Sequence, residues 1–341
     1  MIHDIEINSA AHYPAAGVID LVELAEKVGF GAFWKGESNS TDPMILLSAA
    51  ASRTKTIKLG TAIYHIYGRS PVTLGIQSAT LQDLSGGRLL LGLGVANKSI
   101  AGWHGGVFDR PLRRAREYID IVRKVAAGER VEYEGEIYQT GKRFQLSWKP
   151  SHPNLPIYLA GLGPQMTKLV GKISDGVFIN MATPAKIREI AARVREGAKE
   201  AGRDPSKIEI MAAAPVWAAE DLKVARDRVR WFPALVSNHV MDLVRRYKPS
   251  ELPEALTIYV KDRGGYDYQH HCEVGSDNAE FVSDEVVDRF CLVGPLKAHR
   301  EKLERLARAG VTQFNIYLMC GDEEQTLETY GRDILPQLTK V

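Results

Sequence analysis

The first residue in this chain that could do chemistry is a carboxylate in an apolar strand. Residues 2–8 alternate, with Asp4, Glu6 and Asn8 on one face and Ile5 and Ile7 on the other. Burying a carboxylate is costly unless it is paired, hydrogen-bonded or protonated. Glu6 therefore reads in two ways. It is half of a structural ion pair, or it is a carboxyl group under a substrate, donating a proton or steadying a cation. Glu37 follows a second apolar run in the string Lys35, Gly36, Glu37, Ser38, Asn39. It is the better functional choice there, because Asp42, directly before Pro43, is most simply a helix N-cap. His65 closes a third run, Thr61, Ala62, Ile63, Tyr64, His65, and could titrate near neutral pH or hydrogen-bond a ring. His104 sits between glycines in GWHGG. His270, His271 and Cys272 are adjacent, and consecutive side chains rarely converge on one ion. No spaced HExxH-type partner accompanies them, so no metal site is expected. The chain also has no GxSxG elbow and no Walker A loop.

Two glycine-rich stretches look built for a ligand. In LQDLSGGRLLLGLGVAN, residues 81–97, a helix end and a turn lead into an apolar run. That run reads as a strand buried on both faces. It ends in the small residues Gly92 to Ala96, which let a backbone approach a ligand closely. In AGLGPQMTKLVG, which begins at Ala160, glycines run straight into a helix. Free N–H groups and the dipole at such a start favour an anion.

Something must hold these residues at one end of a fold. The pattern predicts strands near 2–8, 32–34, 57–63, 89–95, 157–160, 176–180, 208–216 and 313–318. Amphipathic helices separate them, several opened by proline or closed by glycine. Eight alternating units predict an α/β fold, a (β/α)8 TIM barrel forming one domain over 1–341. Two insertions interrupt it, about 128–156 after strand four and 219–289 after strand seven, the first hairpin-like and the second mostly helical. A doubly wound sheet would prefer a GxGxxG turn after its first strand. The turn here is NSAAHYP. In a barrel, the carboxyl ends of the strands form the catalytic face, and the second insertion is expected to cover that mouth.

Composition narrows the function classes. The chain has 341 residues, 45% hydrophobic and 25% charged, with a net charge of +2. That balance gives no electrostatic case for a nucleic-acid partner. No apolar run approaches the ~20 residues of a membrane span. Three scattered cysteines without a CxxC pair fit a reducing compartment. The opening MIHDIEINSA lacks a basic region followed by an apolar core, so a cytoplasmic protein is expected.

Several separated motifs resemble the bacterial luciferase-like superfamily, in the same order along nearly the whole chain. They are IKLGTAIYHIYGRSPVTLGIQSATLQDL, LSGGRLLLGLGVAN, LPIYLAGLGPQMTKLVGKISDGVFIN and FCLVGPLKAHREKLERLARAGVTQFNIYL. The third is similar to coenzyme F420-dependent methylene-tetrahydromethanopterin reductases. The resemblance implies a dimeric barrel holding a flavin or deazaflavin at the strand ends. It implies a non-proline cis peptide within Thr61, Ala62 and Ile63, against which the cofactor ring rests. Phosphate contacts would fall on Gly94, Val95, Ala96 and Asn97, and on Gly161, Leu162, Gly163, Pro164 and Gln165, with Asn180 a further cofactor contact. Glu6 matches a first-strand glutamate that lies by the pterin in those reductases. There are departures. An Asp-His pair after strand two, common in F420 relatives, is replaced by Gly36, Glu37 and Ser38, and Ala96 stands where relatives often have glycine.

The implied function is an F420-dependent oxidoreductase passing a hydride between the deazaflavin and a small organic substrate, such as a methylene-tetrahydropterin or -folate. Glu6, Glu37 and His65 are its expected catalytic residues. Lys35, Arg69, Lys98 and Lys168 are available to an anionic cofactor tail. The alternatives are an FMN-dependent monooxygenase and a non-catalytic flavin-binding barrel.

Overall fold

Proline, glycine and short polar side chains mark the element boundaries. A computed structural model describes the chain apart from residues 1, 3, 10–12, 38–40, 142, 182, 246–259, 261–262, 268, 271 and 339–341. Ser38, Asn39 and His271 lie outside the described residues. The elements run β1 (Asp4–Ser9), α1 (Ala15–Val28), β2 (Ala32–Lys35), α2 (Pro43–Arg53), β3 (Lys58–Thr61), β4 (Tyr64–His65), α3 (Pro71–Leu84), β5 (Leu89–Gly94), α4 (Lys98–Trp103), α5 (Pro111–Ala126), β6 (Ile157–Ala160), α6 (Pro164–Ile173), β7 (Gly176–Ile179), α7 (Pro184–Glu200), β8 (Glu209–Ala214), β9 (Val216–Ala218), α8 (Leu222–Val229), α9 (Trp231–Val244), β10 (Leu292–Gly294) and β11 (Gln313–Leu318). Further helices span Asp284–Phe290, Leu296–Arg308 and Glu323–Asp333. Asp42 is the N-cap of α2, accepting from the Ile45 N–H, and Pro71 opens α3. Gly29 ends α1 in the left-handed region, at φ 96°.

The strands pair in parallel in the order β3-β2-β1-β11-β8-β7-β6-β5-β4. A β3–β5 pairing, Leu59 with Leu89 and Gly60 with Leu90, closes the ring. Because β3 and β4 both pair with β5, they are two halves of one stave, and the ring is the eight-stave barrel expected. The expected strand 57–63 is thus interrupted, and the break falls at a cis peptide between Ala62 and Ile63. The expected strand 208–216 also divides. Pro215 has no N–H to continue a ladder, and after it β9 leaves the barrel to pair with β10, a strand too short to read from sequence. The loop expected after strand four contains the short helix α4. The 128–156 segment is hairpin-like, with antiparallel bridges Val131–Phe144 and Glu134–Gln139.

Alternation along β1 sorts its side chains as expected. Ile7 lies in the apolar layer under the helices, and Glu6 points into the barrel. The interior is filled by Trp34, Tyr158, Phe178 and Met211. The Trp34 ring meets Tyr158 and Phe178 edge-on, at 5.2 and 5.9 Å between centroids. A Cβ on Gly60 would lie 2.2 Å from that ring, so the bare backbone there is what admits Trp34.

Two polar clamps seal the barrel's other end. The Arg88 guanidinium donates to the carbonyls of Ala51, Thr54, Ile57 and Ser85, which ties the end of α2 to the starts of β3 and β5. The Glu26 carboxylate accepts from the N–H groups of Lys55, Thr56 and Ile57, and so fixes the turn entering β3.

Candidate active site

A cavity of about 730 Å³ opens at the carboxyl ends of the strands. Its wall includes the Ala62–Ile63 peptide, Gly94, Val95 and Ala96 after β5, and Gly161, Leu162, Gly163 and Gln165 at the start of α6. Asn180, after β7, completes the set of expected residues found there. These strand ends can form one wall because glycine keeps them thin. A Cβ on Gly94 would lie 2.7 Å from Ile63 Cδ1 and 3.5 Å from the Ala160 Cβ.

The α6 start has the features of an anion site. Its N-cap is Gly163, which offers no side-chain cap, and Pro164 occupies the first turn, where its missing N–H costs nothing. Gln165 and Met166 in that turn line the cavity. Ala96 adopts a left-handed backbone at φ 47°, a conformation that favours glycine.

Three other expected cofactor contacts stand back from the cavity wall or play a local role. The Thr61 hydroxyl donates to the Gly92 carbonyl and accepts from the Gly92 N–H, bridging β3 and β5. Asn97 caps α4 by accepting from the Ile100 N–H, and Pro164 is the α6 starter just described. Of the four basic residues available to an anionic tail, Lys98 lines the cavity. Lys168 is held by Glu196 and Glu200, Arg69 by Glu37, and Lys35 is buried. The cavity draws further cations from a segment not singled out in the sequence, Arg110 and Arg113, beside Phe108 and Asp109.

Glu6 lies one pleat beneath this wall. It is fully buried, and Trp34 Nε1 donates to its Oε2 at 2.5 Å. Burial raises its pKa well above the ordinary carboxylate range, the Asp4 carboxylate adds to that, and the Trp34 N–H opposes it. The next inward-facing residues, Asn8 on β1 and Tyr317 on β11, are register partners. Tyr317 reaches the cavity, where its hydroxyl donates to Asn180 Oδ1 at 3.0 Å.

Glu37 and His65 form a second polar group, joined by His104. Glu37 Oε1 lies 2.7 Å from the Arg69 guanidinium, and Glu37 Oε2 lies 3.2 Å from His65 Nε2. The His65 and His104 rings are 4.3 Å apart. Burial raises the Glu37 pKa against the pull of Arg69. Burial, then the neighbouring His104 and Arg69, lowers that of His65 to about 4. The group adjoins the cavity through the backbone, since the Glu37 N–H donates to the Ile63 carbonyl.

Several lining residues carried no mark in the sequence. Phe178 and Tyr317 sit in strands, where an aromatic residue reads as core. His239 comes from α9, within the 219–289 insertion, and a lone histidine in a helix carries no signal. Trp231 and Phe232 of the same helix pack on Tyr317, so α9 forms part of the cavity wall.

Comparison with known proteins agrees with the geometry. The sequence model described as luciferase-like monooxygenase matches residues 3–313. The chain is 30% identical over 327 residues to a 5,10-methylenetetrahydromethanopterin reductase of Archaeoglobus fulgidus, covering 93% of this chain and 94% of that one. It is 24% identical over 354 residues to an F420-dependent glucose-6-phosphate dehydrogenase of Mycolicibacterium smegmatis, covering 98% and 97%. The solved coenzyme F420-dependent tetrahydromethanopterin reductase of Methanopyrus kandleri superposes with a TM-score of 0.82 at 25% identity, over 99% of this chain and 100% of that one.

Proposed function

This chain belongs to the luciferase-like monooxygenase family, and within it we propose an F420-dependent oxidoreductase that transfers a hydride to or from a small organic substrate. The observation that carries this reading is the match over nearly full length to reductases whose solved member is F420-dependent. The cavity fits such a cofactor. It is large enough for a fused-ring group, since ligand sites run from about 300 to 1,000 Å³, and it has an uncapped helix start for a phosphate and a cationic rim for an acidic tail.

The deazaflavin supplies the hydride chemistry when bound. This chain's residues orient it, exclude water and manage protons. The backbone at Gly94 to Ala96 and at Gly161 to Gln165 would hold the phosphate side. The Ala62–Ile63 peptide would back the ring, and Lys98, Arg110 and Arg113 would face the tail. Phe178 and Tyr317 would keep the reacting end dry. Glu6, whose pKa burial raises, would hold a proton at the site, and Glu37 with His65 would be the second acid–base pair. The reading includes a cytoplasmic homodimer acting on a small molecule, and a methylene-tetrahydropterin or -folate is the first substrate to test.

The test is a turnover panel with purified protein. Reduced F420 should be consumed with one substrate of that class, without oxygen uptake. Oxygen consumption with reduced FMN, and none with F420, would mark an FMN-dependent monooxygenase instead. Tight cofactor binding without turnover on any substrate would mark a non-catalytic flavin-binding barrel.

A further inference from the structure

We propose that Glu37, His65 and His104 form a binding site for a first-row transition-metal dication of the zinc class. The inference stands apart from the choice of cofactor; with the ion bound, Glu37 Oε2 and His65 Nε2 are ligands and no longer an acid–base pair. The three residues come from the end of β2, from β4 and from the residue that ends α4, and the fold brings one ligand atom of each within 4.8 Å of the others. His65 is 1% exposed, and its Nε2 lies 3.2 Å from Glu37 Oε2 but is not aligned for a hydrogen bond and has no hydrogen-bond partner. Their 3.2 Å separation matches the edge of a tetrahedron. Two ligands each ~2.0 Å from a zinc-class ion, at tetrahedral angles, stand ~3.3 Å apart. Two imidazoles and one carboxylate are donors that such ions accept, and three protein ligands leave a coordination position open.

The surroundings are compatible with a dication. Arg69 takes Glu37 Oε1 and leaves Oε2 for the ion, while the His65 N–H also steadies Oε2 at 3.2 Å. Asp42 lies on the far side of Arg69, at 3.6 Å. Two carboxylates against one guanidinium leave the patch with one net negative charge. The cost falls on one contact. His65 Nδ1 accepts from the Tyr67 N–H at 3.3 Å, a long bond that places the ring proton on Nε2. Coordination through Nε2 moves that proton to Nδ1 and gives the bond up, so micromolar rather than nanomolar affinity is expected. A bound ion would pin the end of α4 to β4, beside the segment that supplies Lys98 and Phe108 to the cavity.

The experiment uses the full chain, stripped of metal with a chelator and titrated with Zn2+ against a chromophoric competitor and with Co2+ by visible absorption. The expected result is one equivalent of either ion, at a Kd of about 10 μM or tighter, with Co2+ d–d bands of a site with nitrogen and oxygen ligands. His104 is exposed, so His104→Ala leaves the fold intact. It should weaken binding about tenfold or more, and Glu37→Gln should do likewise. His270→Ala, which removes an exposed histidine elsewhere, should change nothing. No saturable binding by the parent chain would overturn the proposal. So would binding that survives His104→Ala unchanged, or binding that disappears with His270→Ala.

Discussion

Replacing Glu26 by glutamine should cost measurable stability at neutral pH and almost none in strong acid. Burial alone would raise the Glu26 pKa, but the N–H groups of Ile57, Thr56 and Lys55 outweigh it and hold the carboxyl at about 2 against an ordinary 4.5. At 1.36 kcal/mol per pH unit, that difference amounts to about 3.4 kcal/mol. Water reaches part of this carboxylate, so roughly half, ~1.5–2 kcal/mol, is the expected loss. The pKa is lowered in the folded state. Its contribution is therefore fully present above the unfolded value near 4.5 and disappears as pH falls through about 2. Urea unfolding of the parent and Glu26→Gln, at pH 7 and again near pH 2, gives the two differences. Equal stabilities at pH 7 would refute the clamp. A loss that persists undiminished at pH 2 would show that packing, not charge, is responsible.

Three further outcomes follow from the site. Glu6→Gln should lower turnover by ~10² or more while leaving cofactor affinity and the thermal midpoint little changed, because an amide of the same shape replaces a buried carboxyl whose pKa is raised by desolvation. Unchanged turnover in steady-state kinetics would remove Glu6 from the mechanism. Gly94→Val should cut cofactor affinity at least ~10-fold, since its Cβ would press on Ile63 across the cavity wall. A titration superimposing on the parent's would place the cofactor elsewhere. Ala96→Gly should cost no stability in denaturant unfolding. Relief of ~1–2 kcal/mol of left-handed strain offsets the ~0.4–1 kcal/mol of added chain entropy, and a loss near 1 kcal/mol would contradict the strain.

The barrel was legible because strands buried on both faces are written as short apolar runs, and because Asp42, Pro71 and Gly29 mark helix ends through local chemistry. The interruptions were less visible. Nothing in Thr61, Ala62 and Ile63 by composition announces a broken stave; the family resemblance located the cis peptide that the structure has at Ala62–Ile63. Half of the cavity wall could be read from glycines at strand ends. The other half, Phe178, Tyr317, His239 and the Phe108–Arg113 segment, depends on which side chains converge in space. Glu6 was legible as an inward carboxylate by alternation, but the cover formed by Trp34 was not, since it requires Gly60 on the neighbouring strand. Glu37, His65 and His104 come from three separate segments and carry no ligand spacing.

The central claim is that the cavity between Ala62, Gly94 and Gly161 takes a deazaflavin in preference to a flavin. Equilibrium titration of the purified, cofactor-free chain with F420 and with FMN, each followed by absorbance, tests it most directly. Saturable F420 binding at micromolar or lower Kd, with FMN at least ~10-fold weaker, is the predicted result. Micromolar binding of FMN without binding of F420 would contradict it.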